Sequence, residues 1–272
     1  MAHMEESPTT GAAHKASRHR VLSVFLNMSN FKRGHIPVQW MDIKAVILDF
    51  GGTLADGGLE WEPYHEAIRI ILTGNGYYVE MVELKRALRG ALQELNKLRT
   101  RGKERTFEEV YAMFLRRLGI PEDTELLELL HDNFKEYYRT EYFHCVEDVL
   151  KELSSRYKVA LLSNTMSDQP RELLQDSGLD GYFDLIICSR DTGVRKPNPE
   201  IFRLVLSKLG VEPGEAVHVG DSVEADMYGA QDSGVTGVWI RSPDQPLWNG
   251  YAVDSICELP RLLREIEAEE AS

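Results

Sequence analysis

The stretch Lys44-Ala45-Val46-Ile47-Leu48-Asp49-Phe50-Gly51-Gly52-Thr53-Leu54 decides the fold. Its apolar run is short, continuous and ended by a turn signal, which is typical of a buried strand in a parallel sheet. In open α/β sheets, ligands bind beyond the carboxyl ends of the strands, where Asp49 would lie. The two glycines allow main-chain N–H groups to come close to an anion. An ordinary strand followed by an Asp-Gly turn would have the same residues, so the later strands must decide between the two interpretations.

The composition excludes several classes of protein. At 272 residues, with 43% hydrophobic and 28% charged residues, the chain suits one large globular domain or a core with an inserted module. A net charge of −13 argues against nucleic acid or a membrane surface as partner, because both are anionic. No apolar run approaches the roughly 20 residues that span a bilayer.

The three cysteines are Cys145, Cys188 and Cys257, and no two of them form a CxxC pair. This spacing indicates neither a disulfide framework nor a zinc site. It is consistent with a reducing compartment, so we expect a cytoplasmic protein. The oligomeric state cannot be inferred from the sequence.

Residues 1–40 are expected to form an N-terminal extension that is partly disordered, with an apolar portion from residue 21 that packs on the domain. Residues 56–142 then show four helical patterns with no strand pattern between them. In the second, six residues recur at steps of three and four and predict one apolar helix face. These residues are Met81, Leu84, Leu88, Ala91, Leu95 and Leu98.

Strand and helix patterns alternate after residue 142. Strands are predicted at 157–162, 185–188, 216–219 and 235–240, with helices between them. The prediction is an α/β fold: a doubly wound, parallel, Rossmann-like sheet with an inserted all-helical cap domain. The core domain would comprise residues 41–55 and 143–272, and the cap residues 56–142.

Chemically useful side chains follow the strands in four separate segments. Because the carboxyl ends of parallel strands meet at one edge of the sheet, these side chains are expected to converge. In chain order the segments are Asp49-Phe-Gly-Gly-Thr53, Leu-Leu-Ser163-Asn164, Lys196-Pro-Asn-Pro and Gly220-Asp221-Ser-Val-Glu-Ala-Asp226.

With these four motifs in this order, residues 43–270 resemble the haloacid dehalogenase superfamily, whose members are mostly phosphatases. The insert is similar to that family's four-helix cap. The resemblance implies Asp49 as the nucleophile toward a small phosphorylated metabolite, with an aspartyl-phosphate intermediate. Ser163 and Lys196 would complete the catalytic set.

The same resemblance implies two sets of ligands. Phosphate oxygens would be held by Gly52, Thr53, Ser163, Asn164 and Lys196. Hard oxygen ligands suit Mg²⁺, and they would come from Asp49, the carbonyl of Gly51, Asp221 and Asp226. Asp226 lies five residues after Asp221, so we expect it to orient Lys196 or a metal-bound water rather than to contact the ion.

The chain departs from the family at Gly51, where most members have a second Asp that serves as acid and base. Such a group typically contributes about 10²–10⁴-fold in rate. Three interpretations stay open. They are a phosphatase without this Asp, a hydrolase of C–P or C–halogen bonds, and a non-catalytic module that binds a phosphorylated ligand or a protein. The phosphonoacetaldehyde hydrolase form needs a cap lysine, for which Lys85 is the candidate.

Basic residues are concentrated on the second cap helix and the loop after it. They form either a solvated face or a lid that attracts an anionic substrate. The residues are Lys85, Arg86, Arg89, Lys97, Arg99, Arg101, Lys103 and Arg105. His65 and His144, near the two cap hinges, are interpreted as structural.

Overall fold

The computed structural model describes residues 42–270, with only the main chain described at 269–270. The predictions for residues 1–40 lie outside the described residues. The strands are β1 (Ala45–Leu48), β2 (Ala55–Leu59), β3 (Tyr138–Tyr142), β4 (Lys158–Ser163), β5 (Leu185–Cys188), β6 (Ala216–Gly220), β7 (Thr236–Ile240) and β8 (Tyr251–Val253). Six of them form a parallel sheet in the order β5-β4-β1-β6-β7-β8.

Helices connect these strands and form the insert. They are α1 (Trp61–Gly74), α2 (Met81–Arg99), α3 (Phe107–Arg117), α4 (Thr124–Tyr137), α5 (Val146–Ser154), α6 (Gln169–Asp176), α7 (Pro199–Leu209), α8 (Gly229–Asp232) and α9 (Leu259–Glu270). A π-helical segment, Val223–Tyr228, leads directly into α8. None of the helices within residues 42–270 is long and apolar enough to cross a membrane.

The β1 strand is buried on both faces, as its continuous apolar run predicts. Val46 and Leu48 pack in a cluster with side chains of α5 and α9, whereas Ala45 and Ile47 pack in a second cluster with side chains of α7. All four are completely buried, and burial of each large side chain contributes about 1.5–3 kcal/mol. The predicted doubly wound parallel sheet is confirmed.

The insert has a hydrophobic core of its own, formed by α1–α4. On α2, Leu84, Leu88, Ala91 and Leu95 are buried, and the predicted apolar face is therefore present. Strands β2 and β3 flank the four helices and pair antiparallel with each other. The sequence did not predict them, because Ala-Asp-Gly-Gly-Leu in β2 has little β propensity.

The cysteines correct one sequence prediction. Cys145, just before α5, and Cys257, just before α9, form a disulfide across 112 residues, with a Cα–Cα distance of 5.7 Å. Cys188 is free and buried. The expectation of no disulfide was wrong, because separation along the chain says nothing about proximity in a fold that brings α5 against α9. Disulfides persist in oxidising compartments and inside hyperthermophiles, so the cysteines no longer support a reducing compartment.

Candidate active site

The predicted residues converge because the strands that carry them are neighbours. Asp49 follows β1, Ser163 ends β4, and Asp221 follows β6, and β4, β1 and β6 are adjacent in the sheet. The main-chain N–H of Asp49 donates to Val219 on β6 at 2.9 Å, which ties the loop after β1 to that strand. Residues about 170 positions apart thus meet at one edge of the sheet.

Lys196 lies between two carboxylates. Its Nζ is 2.9 Å from Asp49 and 2.6 Å from Asp226, and its side chain is 1% exposed. Burial alone would lower the pKa of Lys196, but the two carboxylates raise it above the ordinary value. The residue is therefore a buried, protonated cation next to the predicted nucleophile, not a surface lysine.

Asp226 is held by three donors. Besides Lys196, His218 on β6 lies 2.9 Å from it through Nε2, and the main-chain N–H of Ser222 donates to it at 3.0 Å. Burial opposes its charge, yet Lys196 and His218 hold the pKa of Asp226 below its ordinary value. It contacts Lys196 directly, and its role in orienting that lysine stays a prediction. With both oxygens engaged, a direct contact with a metal ion has less support than at Asp49 or Asp221.

His218 was not among the residues predicted for the site. This side chain is completely buried, and its Nδ1 lies 3.1 Å from the carbonyl oxygen of Ile47. Its two ring nitrogens thus face oxygen atoms of two different segments, Ile47 on β1 and Asp226. A single polar residue within the apolar strand Ala-Val-His-Val-Gly was the signal that could have revealed it.

Asp221 approaches the loop after β1 because residue 52 has no side chain. A Cβ on Gly52 would lie 2.4 Å from an oxygen of Asp221, and Gly52 has a φ of +70°. Burial raises the pKa of Asp221 to about 6, and the charges of Asp49 and Asp226 add to this effect. Burial is also the main cause of the raised pKa of Asp49.

This cluster fits a divalent cation. Oxygen atoms of Asp49, Asp221 and Asp226 all lie within 4.8 Å of one another. Hard carboxylate oxygens are the ligands that Mg²⁺ prefers. A bound cation would also offset the repulsion among these carboxylates, which adds to the effect of burial in raising the pKa of Asp221. The residues present therefore suit Mg²⁺, with Asp49 and Asp221 as its best-placed side-chain ligands.

Three of the predicted phosphate contacts make other hydrogen bonds in this structure. The amide of Asn164 donates to the carbonyl of Lys196 at 3.0 Å and accepts from its N–H at 2.9 Å, so Asn164 positions the lysine's main chain. The N–H of Gly52 donates to Ala55 at 2.8 Å, and that of Thr53 donates to Phe50 at 3.3 Å. In this conformation those two N–H groups are engaged within the loop. Ser163 lines the same cavity as Asp49.

A cavity of about 270 Å³ opens from Asp49 and Gly51 toward the cap. Lys85 does not line it. Its Nζ is 2.6 Å from Glu62, and it lines a separate groove with His65. The lysine that a phosphonoacetaldehyde hydrolase mechanism would need is thus absent from this cavity within residues 42–270.

The cap is docked on the core beside the site. The completely buried carboxylate of Glu104 is 3.1 Å from Arg99 and 3.2 Å from Arg195, and the N–H of Glu104 donates to Gly193. Arg99 and Arg195 also line a groove of about 380 Å³ that contains Lys196. Within the predicted basic stretch, Arg99 therefore reaches the site, whereas Lys85 does not.

The family model of haloacid dehalogenase-like hydrolases matches residues 43–234. A glyceraldehyde 3-phosphate phosphatase from Methanopyrus kandleri is 30% identical over 203 residues, which cover 73% of this chain and 84% of that protein. A phosphoserine phosphatase from Thermus thermophilus is 38% identical, covering 45% and 49%. An N-acylneuraminate-9-phosphatase from Rattus norvegicus is 36% identical, covering 45% and 52%. The chain spans about half the length of the last two relatives.

Solved structures show the same architecture. A HAD phosphatase from Thermococcus onnurineus superposes with a TM-score of 0.55 at 27% identity, covering 81% of this chain and 98% of that one. A 2-haloacid dehalogenase from Pseudomonas syringae superposes with a TM-score of 0.60 at 23% identity, covering 82% and 99%, a likeness of fold alone. The resemblance drawn from four short motifs thus extends over most of the chain, which belongs to the haloacid dehalogenase-like hydrolases.

Proposed function

We propose that the protein is a Mg²⁺-dependent phosphatase that hydrolyses a small phosphorylated metabolite through an aspartyl-phosphate. The observation that carries the proposal is the contact of Asp49 with the buried Lys196, beside a second carboxylate, Asp221. In this proposal Asp49, which lines the cavity, is the nucleophile, Lys196 is the cation that binds phosphate, and Asp49 and Asp221 hold the metal ion. The phosphatase relatives agree with this chemistry.

The reaction has two displacements at phosphorus. First, a carboxylate oxygen of Asp49 forms a bond to phosphorus while the bond from phosphorus to the leaving oxygen breaks. The leaving oxygen then takes up a proton. In the second step a water oxygen attacks phosphorus, the bond to Asp49 breaks, and phosphate is released.

The chain's own groups would stabilise the charge on the phosphoryl oxygens. Lys196 supplies a fixed positive charge, which Asp226 and Asn164 hold in place from two sides. The Ser163 hydroxyl can donate to a second phosphoryl oxygen. A bound Mg²⁺ would neutralise part of the charge on the phosphate and on Asp49.

Because residue 51 is a glycine, the side-chain acid that most family members use to protonate the departing oxygen is missing at this position. The exposed main chain of Gly51 lines the cavity, so a water or the substrate's own phosphate can bring the proton there. We therefore expect good leaving groups such as nitrophenolate to be released faster than alkoxides.

A second candidate is a dehalogenase, which expels halide and needs no proton donor. The cluster of Asp49, Asp221 and Asp226 argues against it, because a halide-releasing site has no need for three adjacent carboxylates. The remaining alternative is a binding module without turnover. Under this alternative the site would bind phosphate but release no product.

The test is hydrolysis of p-nitrophenyl phosphate with Mg²⁺ by the wild type, Asp49→Asn and the exposed control Asp148→Asn. We expect turnover by the wild type and the control, inhibition by EDTA, and background rates for Asp49→Asn. Equal rates in Asp49→Asn and the wild type would remove Asp49 as nucleophile. Phosphate binding without turnover in any of these three proteins would favour the binding module. Release of chloride from 2-chloropropionate would favour the dehalogenase.

A further inference from the structure

The cavity beside Asp49 is where the leaving group of a phosphate ester would lie. Phe50, Phe134 and Leu173 give it apolar walls, and Tyr138 and Gln169 add polar atoms. At about 270 Å³ it is at the small end of ligand pockets. The leaving group it can enclose is therefore small.

The walls of this cavity carry few charged side chains. Asp49 is the only Asp, Glu, Lys, Arg or His that lines this cavity within residues 42–270. Tyr138 stays neutral, because burial raises the pKa of its hydroxyl. Within the described part of the chain the cavity offers no cation to a second anionic group, and its one carboxylate would repel such a group.

The nearest cations along the chain are engaged elsewhere. Arg139, between the cavity residues Tyr138 and Thr140, is 3.1 Å from Glu60, and its side chain is 75% exposed. Lys135, next to Phe134, is 3.1 Å from Glu172. Arg171, next to the cavity residue Pro170, pairs with Asp168 and with Asp191, the latter at 2.7 Å. None of these three cations lines the cavity, and each is already paired with a carboxylate.

Neutral hydrogen-bonding groups are present. The Oγ1 of Thr140 is buried and has no hydrogen-bond partner among the described residues. The amide nitrogen of Gln169 makes a long bond of 3.4 Å to the carbonyl of Tyr138, which leaves its oxygen able to accept from a ligand. Hydroxyl or carbonyl groups of a ligand would complement both side chains.

We propose that the substrate is a phosphomonoester whose leaving group is small and uncharged and carries hydroxyl or carbonyl groups, like that of a polyol or sugar phosphate. Esters with a carboxylate in the leaving group are excluded. This inference rests on the proposed phosphatase activity. A carboxylate in this cavity would be desolvated, unpaired and close to Asp49.

The test compares substrates that differ in one terminal group, CH₂OH or CHO against carboxylate. The pairs are glycerol 3-phosphate with 3-phosphoglycerate, erythritol 4-phosphate with 4-phosphoerythronate, and glucose 6-phosphate with 6-phosphogluconate. We expect kcat/KM of the neutral member to exceed that of the acid at least tenfold in every pair that is turned over.

Turnover of p-nitrophenyl phosphate separates the two proposals. If that substrate is hydrolysed but the acids match the neutral esters, or no neutral ester reacts, the inference about the leaving group is overturned while the phosphatase remains. If p-nitrophenyl phosphate is not hydrolysed at all, the phosphatase fails and the inference fails with it.

A matched pair of variants tests whether the cavity or the overall charge discriminates. Gln169→Lys places a cation in the cavity, and Gln93→Lys adds the same charge at an exposed position on α2. We expect only Gln169→Lys to narrow the neutral-to-acid ratio, by about fivefold or more. An equal change in both variants would assign the discrimination to the net charge of −13 and overturn the inference. If Gln169→Lys does not fold, Thr140→Lys replaces it, and the wild-type ratios stand by themselves.

Discussion

The Nζ of Lys196 lies 2.6 Å from Asp226, and each of the two side chains is only 1% exposed. Each neutralises a charge that burial would otherwise penalise. Removing one partner of a buried ion pair typically costs about 3–5 kcal/mol, because the other is left uncompensated. The pair therefore serves stability as well as the position of the cation at Asp49.

Replacing Asp226 by asparagine should impair both properties. In Asp226→Asn, Lys196 retains only Asp49 as a charged partner, so the ammonium shifts toward the nucleophile and is less available to phosphate. We expect a loss of kcat on p-nitrophenyl phosphate and a destabilisation of about 3 kcal/mol in urea unfolding. The control Asp232→Asn is exposed on α8 and should stay within about 0.5 kcal/mol of the wild type. Similar unfolding free energies for both variants would contradict the importance of the pair.

Gly51→Asp should restore a proton donor at the leaving oxygen. A Cβ at Gly51 meets no atom within 4 Å, and its φ lies outside the left-handed region, so an aspartate can be accommodated without strain. For alkyl phosphates, whose leaving oxygen needs a proton, we expect kcat to rise by up to about 10²-fold. The kcat for p-nitrophenyl phosphate should change far less. Gly51→Asn has nearly the same shape but no acid and should not accelerate the reaction. An unchanged rate on alkyl phosphates would mean that another group already supplies the proton, or that chemistry is not rate-limiting.

Glu104→Gln should weaken the docking of the cap. The buried carboxylate compensates Arg99 and Arg195 and also accepts from Ser189 at 3.2 Å. With the charge removed, we expect a destabilisation of about 3–5 kcal/mol and faster limited proteolysis near the cap junctions.

Glu94→Gln provides the matched control for the cap. Its partner is Arg117 at 2.8 Å, but both side chains are about half exposed, so this surface pair should contribute under about 1 kcal/mol. If the two substitutions had equally small effects, Glu104 would not be what holds the cap to the core.

Reduction should destabilise the protein through Cys145 and Cys257. A bridge that closes a loop of 112 residues typically stabilises by about 2–4 kcal/mol, because it restricts the unfolded chain. We expect dithiothreitol to lower the urea midpoint of the wild type and of Cys188→Ser, but not of Cys257→Ser. Three reactive thiols in denaturant without reductant would show that the bridge is not formed.

His131 should make stability depend on pH. Its Nδ1 lies 2.9 Å from Glu108 and its Nε2 2.9 Å from Ser167 at the contact between cap and core. Burial lowers the pKa of His131, with Lys135 and Arg190 acting in the same direction and Glu108 against it.

The sign of this dependence follows from the proton count. An unfolded histidine titrates near pH 6.5, so below that pH the unfolded chain binds more protons than the folded one. Stability should therefore fall as the pH decreases from about 7 to 5. His131→Gln should lose less stability over this range, while the difference between wild type and variant should be constant above pH 7.5. Parallel pH profiles would rule out His131 as the cause.

The site residues could be predicted largely from the sequence. Asp49, Ser163 and Asp221 each follow or end an apolar run, and burial of such runs in a parallel sheet brings their carboxyl ends to one edge. This local pattern was enough to predict their convergence and that of Lys196. The apolar face of α2 could likewise be predicted, because the spacing of its apolar residues shows the helical period.

Other features depend on contacts between distant segments. The pairing of β2 with β3 and the bridge from Cys145 to Cys257 have no local signal. His218 stands out within its apolar strand, but nothing local identifies Asp226 as its partner. Residues 44–54 illustrate this difference between local and long-range features. Their sequence determined a buried strand that ends in a carboxylate, because hydrophobic burial and turn preference act locally. Only the tertiary structure decided that Lys196 would lie against both Asp49 and Asp226, and that Asp49 would be the only charged side chain among the described residues to line the cavity at Gly51. Those relations depend on how the cap and the sheet pack together.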